Sequence, residues 1–213
     1  VKNILKDSYM VHQYHQPVGF PGALTDRPFT RNVEEAKALM KAAGYENGFE
    51  VSFDYPNDYP RADIAQAIQA NLAEIGIKLK MLPAESRQAL TKFRARNSEM
   101  YMGAWAGDFF DPHTNAEWFL YNPDNSDNSK NRTFAWRVSW DPGEAGKEVI
   151  AATKESDPAK RIKMYEELQR LEAKTSPIVH MFQQVQIAVT KANVTGVSMG
   201  LIFDATRHDS IAK

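Results

Sequence analysis

Phe49-Glu-Val-Ser-Phe-Asp-Tyr55, Arg61-Ala-Asp-Ile-Ala-Gln-Ala-Ile-Gln-Ala-Asn-Leu-Ala-Glu-Ile75 and Ile77-Lys-Leu-Lys-Met81 are three consecutive runs whose periodicity decides the fold. In the first, Phe49, Val51, Phe53 and Tyr55 alternate with Glu50, Ser52 and Asp54, the period of a strand with one buried face. After the turn Pro56-Asn-Asp-Tyr-Pro60, residues Ile64, Ala65, Ile68, Leu72 and Ile75 form one apolar stripe opposite Gln66, Gln69 and Glu74, as on a helix. Gly76 stops that helix, and Ile77, Leu79 and Met81 alternate with Lys78 and Lys80 as a second strand. A strand, a helix and a strand in that order imply a parallel pair joined by a right-handed crossover, hence an α/β fold.

Upstream, Asn32-Val-Glu-Glu35 is a capping box, and Val33, Ala36, Leu39, Met40 and Ala43 share a helical face that ends at Gly44. Residues 1–31 read as a short helix to about Met10, then an irregular lead-in punctuated by Pro17, Gly19, Pro21, Gly22 and Pro28. Downstream come a helix from Ser86 to about Arg96 and a third strand, Met100 to Trp105. That strand runs into Ala106-Gly-Asp-Phe-Phe-Asp-Pro-His113, which brings ionisable and aromatic groups to a strand end. In open α/β sheets ligands bind at the carboxyl ends of parallel strands. A helix from His113 to Tyr121 buries Ala116, Phe119 and Leu120, and residues 122–131 are a polar loop. Helices over 143–154 and 158–174 follow, the second with Met164, Tyr165, Leu168 and Leu171 on its apolar face. Strands Ile178 to Phe182 and Val185 to Thr190 precede a mixed tail.

Composition narrows the function classes. The 26 basic and 27 acidic residues are interspersed without a basic stripe, which removes the electrostatic footprint of nucleic-acid binding. No apolar window approaches the roughly 18 to 20 residues of a membrane span. Cysteine is absent, so disulfides, thiolate metal sites and cysteine nucleophiles are excluded together, and the chain is at ease in an oxidising compartment. A Gly-x-Ser-x-Gly elbow and a phosphate loop are also missing. The start on Val1, without the charged and apolar series of a signal peptide, reads as a processed chain or an excised fragment.

Taken in order, Asn32-Val-Glu-Glu-Ala-Lys-Ala-Leu-Met-Lys-Ala-Ala-Gly-Tyr45, Ile64-Ala-Gln-Ala-Ile-Gln-Ala-Asn-Leu-Ala-Glu-Ile-Gly-Ile77 and Trp105-Ala-Gly-Asp-Phe-Phe-Asp-Pro112 resemble the extracellular solute-binding proteins of family 5, the peptide- and nickel-type receptors of bacterial ABC importers. The likeness continues through Asp157-Pro-Ala-Lys-Arg161, Tyr165-Glu-Glu-Leu-Gln169, Ser176-Pro177 and Val194-Thr-Gly196. It implies the carboxy-terminal lobe of such a receptor, a type II periplasmic-binding-protein-like lobe with a central mixed sheet flanked by helices. Residues 32–200 would be the ligand-binding lobe, 1–31 a lead-in, and 201–213 a tail that packs on an amino-terminal lobe missing from this chain. The implied partners are a small solute, an oligopeptide among the candidates, and the importer's permease. The implied place is the periplasm, or a lipid-anchored extracytoplasmic position in a longer parent.

The resemblance also assigns residues. Trp105 and Asp108 match a Trp-x-x-Asp pattern whose aspartate pairs with a peptide's α-ammonium. Trp105 then either walls the cleft or belongs to the core, and Asp108 either meets ligand or caps its own turn. Gly107 and Phe109 flank Asp108 in the candidate site, and Arg137 either meets a ligand carboxylate or stacks on Trp136 or Trp140. Asp111, before Pro112, reads as a turn residue. Neither Asp108, Asp111 and His113 nor His12, His15 and His180 match a known metal spacing, so no metal, cofactor or catalytic residue is assigned. Two alternatives stand beside the receptor: a hydrolase using Asp108 and Asp111, and a lobe that only self-associates through an uncovered apolar surface.

Overall fold

Short-range periodicity is realised in the computed structural model, which describes residues 4–6, 8–202 and 209–213. Its strands are β1 (Tyr9–Val11), β2 (Phe49–Pro56), β3 (Ile77–Ala84), β4 (Met100–Tyr101) and β5 (Phe182–Gln184). Its helices are α1 (Val33–Ala42), α2 (Arg61–Ala73), α3 (Ser86–Arg94), α4 (Pro112–Leu120), α5 (Phe134–Arg137), α6 (Glu144–Lys154) and α7 (Pro158–Thr175). They fall into two units: Phe29–Ala104, and the described residues of Val1–Pro28 with Trp105–Lys213.

In the Phe29–Ala104 unit the sheet order is β3-β2-β4 and both pairings are parallel. The register sets Phe49 against Ile77 and Pro56 against Ala84, so the strands of the expected crossover run side by side along their full length. β4 is shorter than the expected 100–105 strand. Its register pairs Phe53 with Met100 and Asp54 with Tyr101, so pairing reaches Pro56, which has no N–H to offer, within two more residues. The alternation in β2 places Asp54 in solvent, but it is buried and accepts two hydrogen bonds from Lys92 Nζ of α3, at 2.7 and 2.8 Å. A buried carboxylate persists only with such a partner. Asn32 caps α1 by accepting from Glu35 N–H at 3.1 Å. The expected buried face of α1 is nonetheless uncovered, with Leu39 64% exposed.

The other unit has a helical core. Ala116, Phe119 and Leu120 of α4, Ala145, Val149 and Ala152 of α6, and Tyr165 and Leu168 of α7 form one buried cluster. The lead-in is tied to it. β1 replaces the carboxyl end of the short helix expected to about Met10, and it pairs antiparallel with β5 in a two-stranded sheet. Buried Gln169 of α7 accepts from Leu24 N–H at 3.4 Å and donates to the carbonyl of Gly22 at 2.7 Å. Here α7 departs from its expected stripe, because Gln169 and Glu172 are buried while Leu171 is exposed. The helix is covered on a second face by the lead-in, which local periodicity does not register. The expected strand 178–182 is displaced to β5, and Val185 to Thr190 form no strand, with Val189 93% exposed. Of the tail, residues 203–208 lie outside the described residues.

Gly48 and Gly76 lead into β2 and β3, and a Cβ on Gly48, at φ +73°, would sit 2.1 Å from the carbonyl oxygen of Gly76. Both the left-handed backbone and this close approach require glycine. Gly48→Ala is expected to lower stability by about 1–3 kcal/mol, read as a fall in the urea unfolding midpoint, with Gly44→Ala, whose Cβ meets nothing within 4 Å, as the less damaging comparison.

Candidate functional site

The segment expected to bear function ends at the amino terminus of α4, and Asp111 fixes that terminus. Its backbone is extended and its Oδ1 accepts from His113 N–H at 2.8 Å, an N-cap with Pro112 in the first turn. Both carboxylate oxygens also receive the guanidinium of Arg161 on α7, each at 2.8 Å. Arg161 further donates to the carbonyl of Ala152 at 3.1 Å and lies 5.0 Å from the Tyr165 ring centroid. The Arg161 hydrogen bonds hold the Asp111 carboxyl below its ordinary pKa, against the upward push of burial, and the Arg161 value is raised in turn. Asp111 is therefore the turn residue the sequence suggests, with an ion pair added that the sequence does not announce.

The loop before it is held by side chains of α4. Thr114 Oγ1 accepts from Asp108 N–H at 3.1 Å. Gly107 is buried where a Cβ would lie 3.0 Å from Thr114 Cγ2 and 3.3 Å from Phe20, so the space available favours glycine. Trp105 Nε1 donates to Asn115 Oδ1 at 2.9 Å, and buried Asn115 Nδ2 donates to Gln16 Oε1 at 2.8 Å. Asp108 is exposed, and among the described residues nothing pairs with its carboxylate. Phe109 and Phe110 are exposed, with Phe110 5.0 Å from Phe20.

Trp105 belongs to an aromatic group that the sequence reading leaves incomplete. Its ring centroid lies 4.8 Å from Trp118 and 5.2 Å from Phe134, and Phe134 is stacked 5.0 Å from Phe119. The Arg137 guanidinium lies 5.2 Å from the Trp118 centroid and 4.9 Å from that of Phe134, while Nε donates to the Arg132 carbonyl at 3.0 Å. Arg137 thus stacks as one of its two readings expected, but on these rings; Arg132 takes the place over Trp136. Trp105, Gly107, Asp108, Phe109 and Arg137 all fall in this unit. Thr114, Asn115, Trp118 and Phe134 were missed, although Trp118 follows Thr114 by four positions and Asn115 by three, the spacings that bring side chains together on a helix.

A second constellation lies in the core of the same unit. His180 Nε2 is 3.0 Å from Glu172 Oε1, and His15 Nδ1 is 3.6 Å from Glu172 Oε2. These are the metal-capable donors among the described residues, all within 4.8 Å of one another. Burial pushes the His15 value down, towards the neutral ring. Burial pushes Glu172 up, but the two histidines outweigh it and hold the carboxyl at about 2. The trio Asp108, Asp111 and His113 is not brought together in this way: Asp111 is engaged by Arg161, and His113 Nε2 faces Glu117 at 3.5 Å.

The profile of the family described as "Bacterial extracellular solute-binding proteins, family 5 Middle" matches residues 1–127. Di/tripeptide-binding protein 2 of Pseudomonas aeruginosa is 26% identical over 187 residues, covering 85% of this chain and 34% of that protein. The chain thus spans about a third of the length of the curated relatives it matches. Among solved structures, the dipeptide-binding protein of Pseudoalteromonas sp. SM9913 in complex with Met-Leu superposes with a TM-score of 0.79 at 18% identity, over 100% of this chain and 42% of that one. The agropinic acid complex of AgaA from A. tumefaciens R10 gives 0.73 at 25% identity, over 92% and 40%. These likenesses establish the expected type II periplasmic-binding-protein fold.

The Asp111 pair generates an acid-stability prediction. Because the folded pKa lies below the unfolded one, its contribution is complete above the unfolded value, about 3.9, and is lost as pH falls through the folded value. Asp111→Asn keeps an oxygen for the cap but loses the ion pair. Thermal unfolding at neutral pH should report a loss of about 1–3 kcal/mol and a shallower fall in stability below pH 4 than in the wild type.

Proposed function

The chain belongs to the bacterial extracellular solute-binding proteins, family 5, and on that premise we propose that it is a ligand-capturing lobe of a periplasmic receptor that delivers a peptide or another small solute to an ABC importer. The observation that carries this reading is Asp108, exposed and without a partner for its carboxylate among the described residues, on a loop whose backbone is pinned through Asp108 N–H and the buried Gly107. A carboxylate held ready in this way suits an ammonium group. Once water leaves, the charge-assisted hydrogen bond strengthens, and an unpaired carboxylate there would be costly. The flat faces of Trp105, Trp118 and Phe134 suit an apolar side chain of the solute, and the Arg137 guanidinium among them suits a planar anionic or aromatic group.

Capture would follow hinge closure of this lobe on a second, amino-terminal one, with main-chain groups aligning an extended ligand. The name of the Pseudomonas relative favours short peptides. The AgaA complex with agropinic acid widens the class; for a peptide, the free amine is the feature assigned to Asp108 and the rest of the solute is left to the aromatic group. The hydrolase reading has less support, since both oxygens of Asp111, its second carboxylate, are occupied by Arg161 and the helix cap.

Native mass spectrometry of the full-length protein, purified from the periplasm without unfolding, should show a small-molecule adduct that disappears on denaturation. With that solute in calorimetry, Asp108→Asn should weaken binding about 10- to 100-fold, the worth of a hydrogen bond to a charged group. Trp105→Phe, which keeps the ring but loses the bond to Asn115, should weaken it less. Unchanged affinity in Asp108→Asn would remove the anchor role, and turnover of the solute by the wild type would restore the enzyme reading.

A further inference from the structure

We propose that His15, Glu172 and His180 form a binding site for a divalent first-row transition-metal cation, Zn2+ above all, within the unit that joins the lead-in to Trp105–Lys213 and apart from the solute-binding loop. Three donors converge: His15 Nδ1, a Glu172 carboxylate oxygen and His180 Nε2, all within 4.8 Å of one another. In a tetrahedral zinc site with ligand bonds of about 2.0–2.2 Å, neighbouring donors lie roughly 3.3 Å apart. Within the cluster, His180 Nε2 lies 3.0 Å from Oε1 and His15 Nδ1 lies 3.6 Å from Oε2, on either side of that value.

The unfilled valences point the same way. His15 Nδ1 and Glu172 Oε2 are buried without a hydrogen-bond partner, and 3.6 Å is too long to count as one. Orphaned buried polar atoms are rare and each calls for an explanation. The His180–Glu172 hydrogen bond leaves Oε2 and His15 Nδ1 without a partner, whereas a cation ligated by Oε2, His15 Nδ1 and His180 Nε2 takes up both. The side chains of His15 and Glu172 are 1% and 0% exposed and that of His180 is 15% exposed, so entry and a fourth, exchangeable ligand belong on the His180 side.

The scaffold around the donors is fixed. The His15 ring is stacked 5.8 Å from Phe119 and His180 meets the same ring edge-on at 4.8 Å. Glu172 is carried on α7, and the lead-in is held beside residues 181–184 by the bond from His12 N–H to the Met181 carbonyl, at 3.2 Å, and by the β1–β5 ladder. The donor set selects among metals. Two imidazoles and one carboxylate suit Zn2+ or its neighbours, whereas Mg2+ and Ca2+ take oxygen ligands and Cu(I) prefers sulfur. His12 is outside the set, since its Nε2 is engaged by the Gln16 carbonyl at 2.7 Å.

The test is a zinc chloride titration, followed by calorimetry, of full-length protein stripped with a chelator and freed of it. Wild type should bind one Zn2+ per chain, raise its thermal midpoint with zinc concentration, and give the visible bands of tetrahedral Co2+ when cobalt replaces zinc. Removing a ligand should cost more than the roughly 10- to 100-fold lost when an outer partner is removed. His180→Ala, the least buried position, and Glu172→Gln should therefore each lose at least 100-fold in affinity while keeping the far-ultraviolet circular dichroism of the fold. His113→Gln, which removes the surface pair with Glu117, should leave binding unchanged. A wild type that binds no stoichiometric zinc would overturn the proposal. So would a folded His180→Ala protein that binds as tightly as wild type, or loss of binding in His113→Gln alone.

Discussion

The two-pronged grip of Arg161 on Asp111 is the contact on which the packing of α4, α6 and α7 depends. It joins the amino terminus of α4 to α7 with two parallel 2.8 Å bonds, while the same guanidinium reaches the Ala152 carbonyl of α6. Three helices are thereby referred to one planar group, which a lysine could not do, since its single ammonium lacks the fork. The pair is only partly exposed, so it is screened less than a surface ion pair. Its position matters more than its energy. It sets where α4 begins, and the first two turns of α4 carry Thr114, Asn115 and Trp118, the side chains that hold or touch the loop at 105–108.

From that anchor α7 acts as the spine of its unit. Arg161 near its start positions the loop, Tyr165 and Leu168 enter the core, Gln169 takes up the lead-in at Gly22 and Leu24, and Glu172 near its end meets His15 and His180. Polar residues at three of these positions, Arg161, Gln169 and Glu172, make the helix less apolar than a core helix usually is. Arg161 and Gln169 hydrogen-bond segments distant in sequence and Glu172 meets His180, so the spine is specified by directional bonds as well as by area, and a rotation or slip of α7 would break several of them at once.

What could be read in the sequence follows from the range of the interaction concerned. The β2-α2-β3 unit was legible because its cause is local: residues a few positions apart share a face, and Gly76 ends the helix between the strands. The alternation that located β2 nevertheless sent Asp54 into solvent, since nothing near it in sequence reveals that Lys92 of α3 covers it. β1 and β5 were illegible for the same reason, each being too short to carry a period and each existing only because the other is there. In the candidate site, Trp105 and Asp108 could be read from their own pattern and from the resemblance that pattern carries. Trp118 and Phe134 could not, because their relation to Trp105 is made by the packing of α4 and α5. Asp111 was half legible: a local turn role beside Pro112 was expected, whereas its place as the N-cap of α4 was not named and Arg161 stands fifty positions away.

The contrast between Asp108 and Asp111 shows how position decides chemistry for one residue type. The two side chains are chemically identical and stand three residues apart. Folding saturates one: Asp111 accepts from the Arg161 fork and from a helix N–H, so an incoming group would have to displace bonds that the fold already uses. Folding does the opposite for its neighbour. Asp108 spends its backbone N–H on Thr114, which fixes the direction of the loop, and leaves its carboxylate in water. A carboxylate whose backbone is held and whose charge is uncommitted loses less freedom when it meets a cation than one on a mobile loop, and preorganisation of that kind turns a contact into affinity. The rigidity of the neighbour is therefore a condition for the availability of Asp108, and the two aspartates form one device, with Asp111 holding the frame in which Asp108 is presented.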